Sequence, residues 1–456
     1  MTRTERRLLV QNSLIGMLLT LIVLAADWRG EDGMLGPMER WLFDIRAKQC
    51  QFFSPPPTDR LVHVNIDDNS LQLVGHWPWN RTLIANMVRE MDMAGAVAIG
   101  FDVLFVEESP MDHAPITAKM DRMVLRPPRP PIILMSGQFE QVDHNLNFAN
   151  EVRSFGRVML PASFRNQSDV EPLVQAVARI MFEDLTLDQE QVREMLEQQN
   201  VRWETEQDYT SAYKSGRDLA LYSRIARFIR AHATDQGRDA LKLYSDDGRD
   251  SPVRAAMAYS ALPYWRNIPR QPLATEEEVI QELYGDKREV ADRLPPGQLR
   301  TYYNLATSFY HLRNLSRPLP PGLPLILPVE ENLAPVPSLA EAINSTSFVD
   351  YVSDEDGVVR TVSLWQECNG RLYPQFGLML ACAAMKVDIK DIELTPDQVI
   401  LPLPDGTKRV IPVFQKHVKK AGLECGMHMY VPYFGSKQEN GWQTMWDFGR
   451  YQEAKQ

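Results

Sequence analysis

Three aspartates near the start of the chain have the residue type and spacing that suit ligand chemistry. Asp67 and Asp68 follow an alternating segment at 61–66 that is rich in branched residues. Asp102 lies in a second apolar segment. Open α/β sheets bind ligands outside the carboxyl ends of their strands, where carboxylates can hold a hard cation or recognise an amine. The alternative is that these residues cap helices, with Asp68 or Ser70 capping the turn that follows.

A tryptophan-rich loop at 75–81 is the second candidate. Two tryptophans beside an arginine could line a ligand pocket, because pockets combine aromatic walls with a few charged groups. The structural alternative is that the rings fasten the loop to the core while Arg81 pairs with an acid such as Asp102. The predicted ligand-binding residues are Asp67, Asp68, Trp77, Trp79, Arg81 and Asp102.

Motifs of catalysis and metal binding are missing from the sequence. The eight histidines form no HExxH pattern, the four cysteines form no CxxC pair, and no phosphate-binding or nucleophile-elbow motif occurs. We therefore predict no catalytic residue, no metal and no cofactor, so the chain is not expected to be an enzyme. The net charge of -11, from 60 acidic and 49 basic residues, also argues against a nucleic-acid partner.

Strand and helix patterns divide the chain into three parts. Residues 61–66 and 97–105 have strand patterns and flank a helix at 81–94 that Asn80 can cap, which predicts a parallel βαβ unit. After residue 166 the apolar spacing becomes helical, at 170–181, 188–199, 218–232, 276–284 and 299–312.

Strand patterns return after this helical part. Residues 358–365 are expected to pair with 347–352 as a hairpin through the turn signal at 354–357. Further strands are expected at 399–403, 408–411 and 429–433, and this segment could complete the sheet of the first part.

An apolar segment at residues 8–26 follows three arginines. Its 19 residues approach the ~20 that a helix needs to cross the hydrocarbon core. The arginines favour a cytoplasmic N-terminus, so the rest of the chain would lie outside. A cleavable signal peptide, with Val23 and Ala25 at its cleavage site, and a buried core helix are the alternatives.

Several motifs, in order, resemble those of the CHASE2 domain, an extracytoplasmic sensory module of bacterial receptors. They are Glu39 with FDIR at 43–46, PPP at 55–57, IDDNSL at 66–71, GHWPWNR at 75–81, AGAVAIGFDVLF at 94–105, DGVVR at 356–360 and YP at 373–374. The resemblance implies a sensory region that passes a stimulus to an output domain outside this chain, such as a nucleotide cyclase, a diguanylate cyclase or a kinase.

The expected fold is α/β, a mixed sheet with a βαβ unit, split by a large helical insertion and preceded by one transmembrane helix. The expected parts are a cytoplasmic tip and span at 1–27, CHASE2-like segments at 38–168 and 321–435, the insertion at 169–320, and a C-terminal extension at 436–456 that could lead to further spans.

The expected location is the bacterial inner membrane, with the bulk of the chain extracytoplasmic. The expected partners are the membrane, a small-molecule or envelope ligand and a second copy of the chain. The alternatives are an exported metal-dependent hydrolase using Asp67, Asp68 and Asp102, or a non-enzymatic envelope interaction protein.

Overall fold

The chain divides into two compact units, the first made by residues 1–75 and 431–456 and the second by residues 76–430. The computed structural model describes residues 16–18, 20, 36–49, 60–109, 112–114, 134–136, 139–166, 170–245, 274–352, 354, 356–418, 422–431 and 443–444. The anchor expected at 8–26 lies outside these residues except for 16–18 and 20. In the part of the chain that is described, no helix is both long enough and apolar enough to span a bilayer.

The helices are α1 (Gly36–Gln49), α2 (Asp68–Val74), α3 (Arg81–Met93), α4 (His144–Phe155), α5 (Pro172–Glu183), α6 (Gln189–Gln198), α7 (Glu206–Ser245), α8 (Glu276–Tyr284), α9 (Arg288–Ala291), α10 (Gln298–Leu315), α11 (Pro337–Ala342) and α12 (Phe376–Met385).

The strands are β1 (Val64–Asn65), β2 (Ile99–Gly100), β3 (Asp112–Ala114), β4 (Leu134–Ser136), β5 (Phe139–Val142), β6 (Val158–Asn166), β7 (Arg317–Pro318), β8 (Val329–Leu333), β9 (Ser345–Phe348), β10 (Thr361–Ser363), β11 (Trp365–Cys368), β12 (Arg371–Pro374), β13 (Glu393–Thr395), β14 (Gln398–Pro402), β15 (Lys408–Pro412), β16 (Phe414–Val418), β17 (Leu423–Tyr430) and β18 (Gln443–Thr444).

The first unit contains α1, α2 and a short parallel pair in which β1 lies beside β18. This pairing overturns the βαβ unit expected at 61–105, because β2 pairs with β6 in the second unit instead. The two apolar segments are close in sequence, but period-2 patterning does not specify a strand's partner. A parallel β–α–β arrangement does form, from β2, α4 and β6.

Strand β6 is the centre of the main sheet of the second unit. Its first seven residues are buried, as expected of a continuous apolar run covered on both faces. It pairs in parallel with β2 and β9 and in antiparallel with β8. Helices α3 and α4 pack together, and the buried faces of both helices join the same apolar core as β6.

The later segment completes this sheet, as the sequence predicts, since β8 and β9 both pair with β6. The hairpin expected between 347–352 and 358–365 is wrong. The turn forms, with Gly357 N–H donating to the Asp354 carbonyl at 2.9 Å, but β9 pairs with β6 and β10 with β17. The strands expected at 399–403 and 408–411 are confirmed as the antiparallel pair β14–β15.

The helical insertion has an apolar core of its own, formed by helices α5 to α8 and the start of α10. The five helices expected from the apolar spacing are all present. Each of these helices has a local 3.6-residue pattern, and such patterns are visible without knowledge of distant partners. The helix expected at 218–232 lies within α7, and its apolar residues are in this core: Ala220, Leu221, Ile225, Ala226, Phe228 and Ile229.

A close approach of α5 to α7 depends on one glycine. A Cβ placed on Gly216 would lie 2.6 Å from Val177 Cβ and 2.9 Å from the Val174 carbonyl oxygen. Real Cβ atoms do not tolerate such contacts, so an alanine here would push the helices apart.

We expect Gly216→Ala to lower the free energy of unfolding by about 2 kcal/mol, since overpacking outweighs the ~1 kcal/mol by which alanine favours a helix. Ser215→Ala, at the exposed neighbouring position, is the control and should change stability by less than about 0.5 kcal/mol. Adding Val177→Ala should recover part of the loss. Thermal unfolding measures all three, and a Gly216→Ala protein as stable as the parent would contradict the packing.

Candidate functional site

The loop before α3 holds one tryptophan in the core and one at the surface. Trp79 is 6% exposed and Trp77 is 39% exposed, and their rings meet edge to face with centroids 5.7 Å apart. The buried ring fastens the loop, as the structural alternative expected. The exposed ring leaves an aromatic face available to a ligand.

Arg81, the first residue of α3, follows this loop in the chain and is half-buried. Its guanidinium donates to the Glu107 carbonyl at 2.8 Å and lies 4.3 Å from the centre of the Phe105 ring. Burial lowers the pKa of Arg81 to about 10, and the charge of Glu107 opposes this shift. The pairing expected with Asp102 is wrong, because the described residues contain no Arg81–Asp102 ion pair and Asp102 is exposed. Arg81 instead contacts the 101–109 loop through the Glu107 carbonyl oxygen and the face of the Phe105 ring.

A polar network around the buried His144 ring lies where α3 and α4 begin, and we call it the His144 network. It consists of Asn80, Thr82, His144 and Asn147. Asn80 Nδ2 is 2.9 Å from His144 Nε2, and Thr82 Oγ1 is 2.8 Å from His144 Nδ1. Asn147 Nδ2 donates to Thr82 Oγ1 at 3.1 Å. The network ties the first turns of the two helices together.

Two helix caps position the His144 network. The Asn80 side chain accepts from Thr82 N–H and caps α3, as the sequence predicts. Asp143 caps α4 by accepting from Leu146 N–H at 3.0 Å. The Asn145 side chain also accepts from Ser109 N–H at 3.2 Å, so the network adjoins the loop that leaves the carboxyl end of β2. Sequence reasoning missed His144, because it belongs to no spacing motif.

The three aspartates do not form one constellation within either unit. Asp67 and Asp68 belong to the first unit, whereas Asp102 belongs to the second. Asp67, and not Asp68 or Ser70, caps α2, since its carboxylate accepts from Ser70 N–H at 2.9 Å and Ser70 Oγ at 2.7 Å. These hydrogen bonds lower the pKa of Asp67. Among the described residues, no group of three or more His, Cys, Asp or Glu side chains could hold a metal ion.

A cleft of about 250 Å³ lies where β2, β6 and β9 begin. Its walls include the buried side chains of Met159, Met379 and Val387, and exposed Arg157 and Lys390. Small-molecule pockets usually measure roughly 300–1,000 Å³, so this cleft could admit only a small ligand. It lies at the amino ends of the parallel strands, the end opposite to the one that the sequence predicts.

The DGVVR motif contributes Asp356 and the buried Arg360 to an ionic network with Asp354 and Lys416. Arg360 contacts Asp354 at 2.9 Å and Asp356 at 2.7 Å, and Lys416 of β16 donates to the other Asp354 oxygen at 2.6 Å. Hydrogen bonding from Arg360 lowers the pKa of Asp356 to about 2. The motif therefore joins the 354–357 turn to β16, and its role is structural.

Removing Arg360 should destabilise the fold, because the largely buried Asp354 would then keep only Lys416 as a positively charged partner. We expect Arg360→Ala to lower the free energy of unfolding by about 3 kcal/mol. Lys408→Ala, which removes an exposed pair with Glu393, is the control and should cost less than about 1 kcal/mol.

The contribution of Asp356 should also depend on pH. Because its folded pKa is depressed, the stabilisation is present above the ordinary Asp range and is lost as the pH falls toward 2. Urea unfolding of the parent and of Arg360→Ala across this range measures it. Equal costs for Arg360→Ala and Lys408→Ala would contradict the network's role.

Comparison with known proteins gives one match. A family model described as the CHASE2 domain matches residues 17–448. No curated protein and no solved structure matches the chain. The matched range includes the segments on both sides of the helical insertion and the insertion itself.

Proposed function

The chain belongs to the CHASE2 domain family of sensory domains, and we propose on this basis that it is the extracytoplasmic sensory region of a membrane-bound bacterial signalling receptor. The observation that carries the proposal is the extent of the family match, which leaves only the first 16 and the last 8 residues unmatched. The CHASE2 domain is a sensory and non-catalytic module, so the output would come from a domain outside this chain.

We propose that residues 8–26 anchor the chain in the inner membrane, with the bulk of the chain outside. The support is the sequence, in which an apolar run of near-spanning length follows three arginines. The stimulus would then reach the chain from the envelope side.

Helix α1 is proposed to carry the signal and to contact a second copy of the chain. Three of its apolar side chains are exposed, Met38 at 55%, Trp41 at 61% and Leu42 at 40%. Apolar residues on an exposed helix face favour association with a similar face. A change in that association is a standard way to relay a conformational change along a helix.

The ligand is proposed to bind at the tryptophan loop, through Trp77, Trp79 and Arg81, with Asp67, Asp68 and Asp102 as further candidates. The support is an exposed aromatic ring at Trp77 and a half-buried guanidinium four residues later in the chain, groups that can bind a small polar or envelope-derived molecule. The metal-dependent hydrolase gains no support from the described residues, because Asp67 is engaged as a helix cap.

Replacing the exposed tryptophan tests the proposal. The loop is proposed to set the balance between two signalling states of the complete receptor. Trp77→Ala should then change the basal output by at least about fivefold, measured as cyclic nucleotide formed or phosphoryl groups transferred. Tyr351→Ala, which removes another exposed aromatic ring of the same unit, is the matched control and should leave output unchanged. Equal outputs from the parent, Trp77→Ala and Tyr351→Ala at equal protein levels would contradict the proposed site.

A further inference from the structure

The cleft at the start of β2, β6 and β9 has an apolar floor. Met159, Met379 and Val387 line it and are buried members of one apolar core of the second unit. Ala98 and Ala383 also line it and pack against the same core. The floor is therefore the place where this core reaches the surface, and an apolar group of a ligand bound there would be removed from water.

Two exposed cations, Arg157 and Lys390, stand at the rim of the cleft. The Arg157 guanidinium lies over the Phe155 ring, 4.8 Å from its centre. A guanidinium in that position keeps its N–H groups, which lie in its own plane, able to donate to a ligand. Among the described residues, neither cation has a carboxylate within ion-pair distance. Both charges are therefore available to an anion.

The turn that carries Lys390 is fixed by hydrogen bonds to its backbone. The Asp388 carboxylate accepts from the Lys390 N–H at 2.9 Å. Arg317 Nη1 donates to the Ile389 carbonyl at 3.2 Å and to the Ile392 carbonyl at 2.6 Å. Arg317 therefore positions the turn through carbonyl groups, and its positive charge adds to that of the rim.

The charge and the size of the cleft define a class of ligand. Its lining contains two cations and one acid, Asp388, so a ligand with one negative charge would balance it. The side chains of Asn314, Asn344 and Ser345 add neutral hydrogen-bonding groups. At ~30 Å³ for each water molecule, the volume of about 250 Å³ equals about eight waters, which suits a ligand of about eight or nine non-hydrogen atoms.

We infer that this cleft binds a small carboxylate with an apolar end. Arg157 and Lys390 bind the carboxylate through charge-assisted hydrogen bonds, and the apolar end contacts Met159 and Met379. The lining includes no residue of the tryptophan loop at 75–81, so this site is separate from the one proposed above. A free carboxylic acid and an α-amino acid share this chemistry, and Asp388 would meet the ammonium group of the latter.

The alternative role of the two cations is to complement helix ends. Helix α4 ends at Phe155 and α12 at Met385, and a positive charge near the carboxyl end of a helix stabilises it. In that role, removing the cations would lower the stability of the fold and leave ligand binding unaffected. Binding measurements therefore separate the two roles.

Binding of 4-methylpentanoate to the full chain tests the inference. Its size and single charge match the cleft, and ¹³C-labelled methyl groups of Met159 and Met379 report on the floor. These resonances should shift saturably, with a Kd of about 1 mM or lower. The uncharged analogue 4-methyl-1-pentanol has the same apolar end and should bind at least about tenfold more weakly, because it makes no charge-assisted bond.

Leucine distinguishes the two sources of the carboxylate, because it is 4-methylpentanoate with an added ammonium group. Leucine that binds more tightly than the acid, and is weakened by Asp388→Asn, would identify α-amino acids as the ligands. Leucine that binds more weakly would identify acids without an ammonium group.

Substitutions at the rim and floor locate the site. Arg157→Gln and Lys390→Gln should each weaken 4-methylpentanoate binding by about tenfold and leave the binding of the alcohol unchanged. Lys386→Gln, at an exposed position outside the lining, is the matched control and should bind as the parent does. Ala383→Leu places a larger side chain in the floor and should abolish the binding of both compounds.

The inference is overturned if the two methionine resonances do not respond to 4-methylpentanoate, or if the alcohol binds as tightly as the acid. It is also overturned if Arg157→Gln and Lys390→Gln both bind the acid as the parent does, which would leave the two cations their role at the helix ends. Binding requires no output domain, so this failure is distinct from failure of the receptor proposal, which the Trp77→Ala output measures.

Discussion

The pairing of β6 with strands from distant parts of the chain is the constraint on which the second unit depends. β6 pairs with β2, which precedes it in the chain, and with β8 and β9, which follow it. The β6–β9 pair runs from Met159–Ser345 to Ala162–Phe348. A half-buried carboxylate supports this junction. Asp350 accepts from Ser163 Oγ and from Phe164 N–H, both at 2.7 Å, where the β6–β8 register shifts.

The same pairing explains how the sheet accommodates a large helical insertion. The chain leaves β6 at Asn166 and returns at Val329, and these two residues are partners in the antiparallel β6–β8 pair. The insertion therefore occupies the place of a hairpin loop, and the free-energy cost of closing a loop grows slowly with its length. Its own apolar core offsets the ordering of its helices, and a hydrogen bond from Tyr222 to Glu331 connects α7 to β8.

Local features such as helices and their caps were predictable from the sequence, whereas strand pairings and contacts between distant residues were not. The helices of the insertion follow from 3.6-residue spacing, and the Asn80 cap follows from its place before an apolar-periodic segment. The strands that pair with β1 and β10 could not be predicted from the sequence, because strand pairing is non-local. An alternation of apolar and polar residues identifies a strand but is compatible with many partner strands. His144 was missed for a related reason: its contacts to Asn80 and Thr82 span more than sixty residues and belong to no motif.

The bulk of this chain is proposed to face outward as a sensory region. A single cysteine placed at the exposed position Glu194 of the insertion, with Cys50 replaced by serine, tests it most directly. Cys368, Cys382 and Cys425 are buried and should react little. If the chain faces outward, a membrane-impermeant maleimide should label Glu194→Cys in intact spheroplasts as fully as in lysed ones. Labelling that appears only after lysis would contradict it.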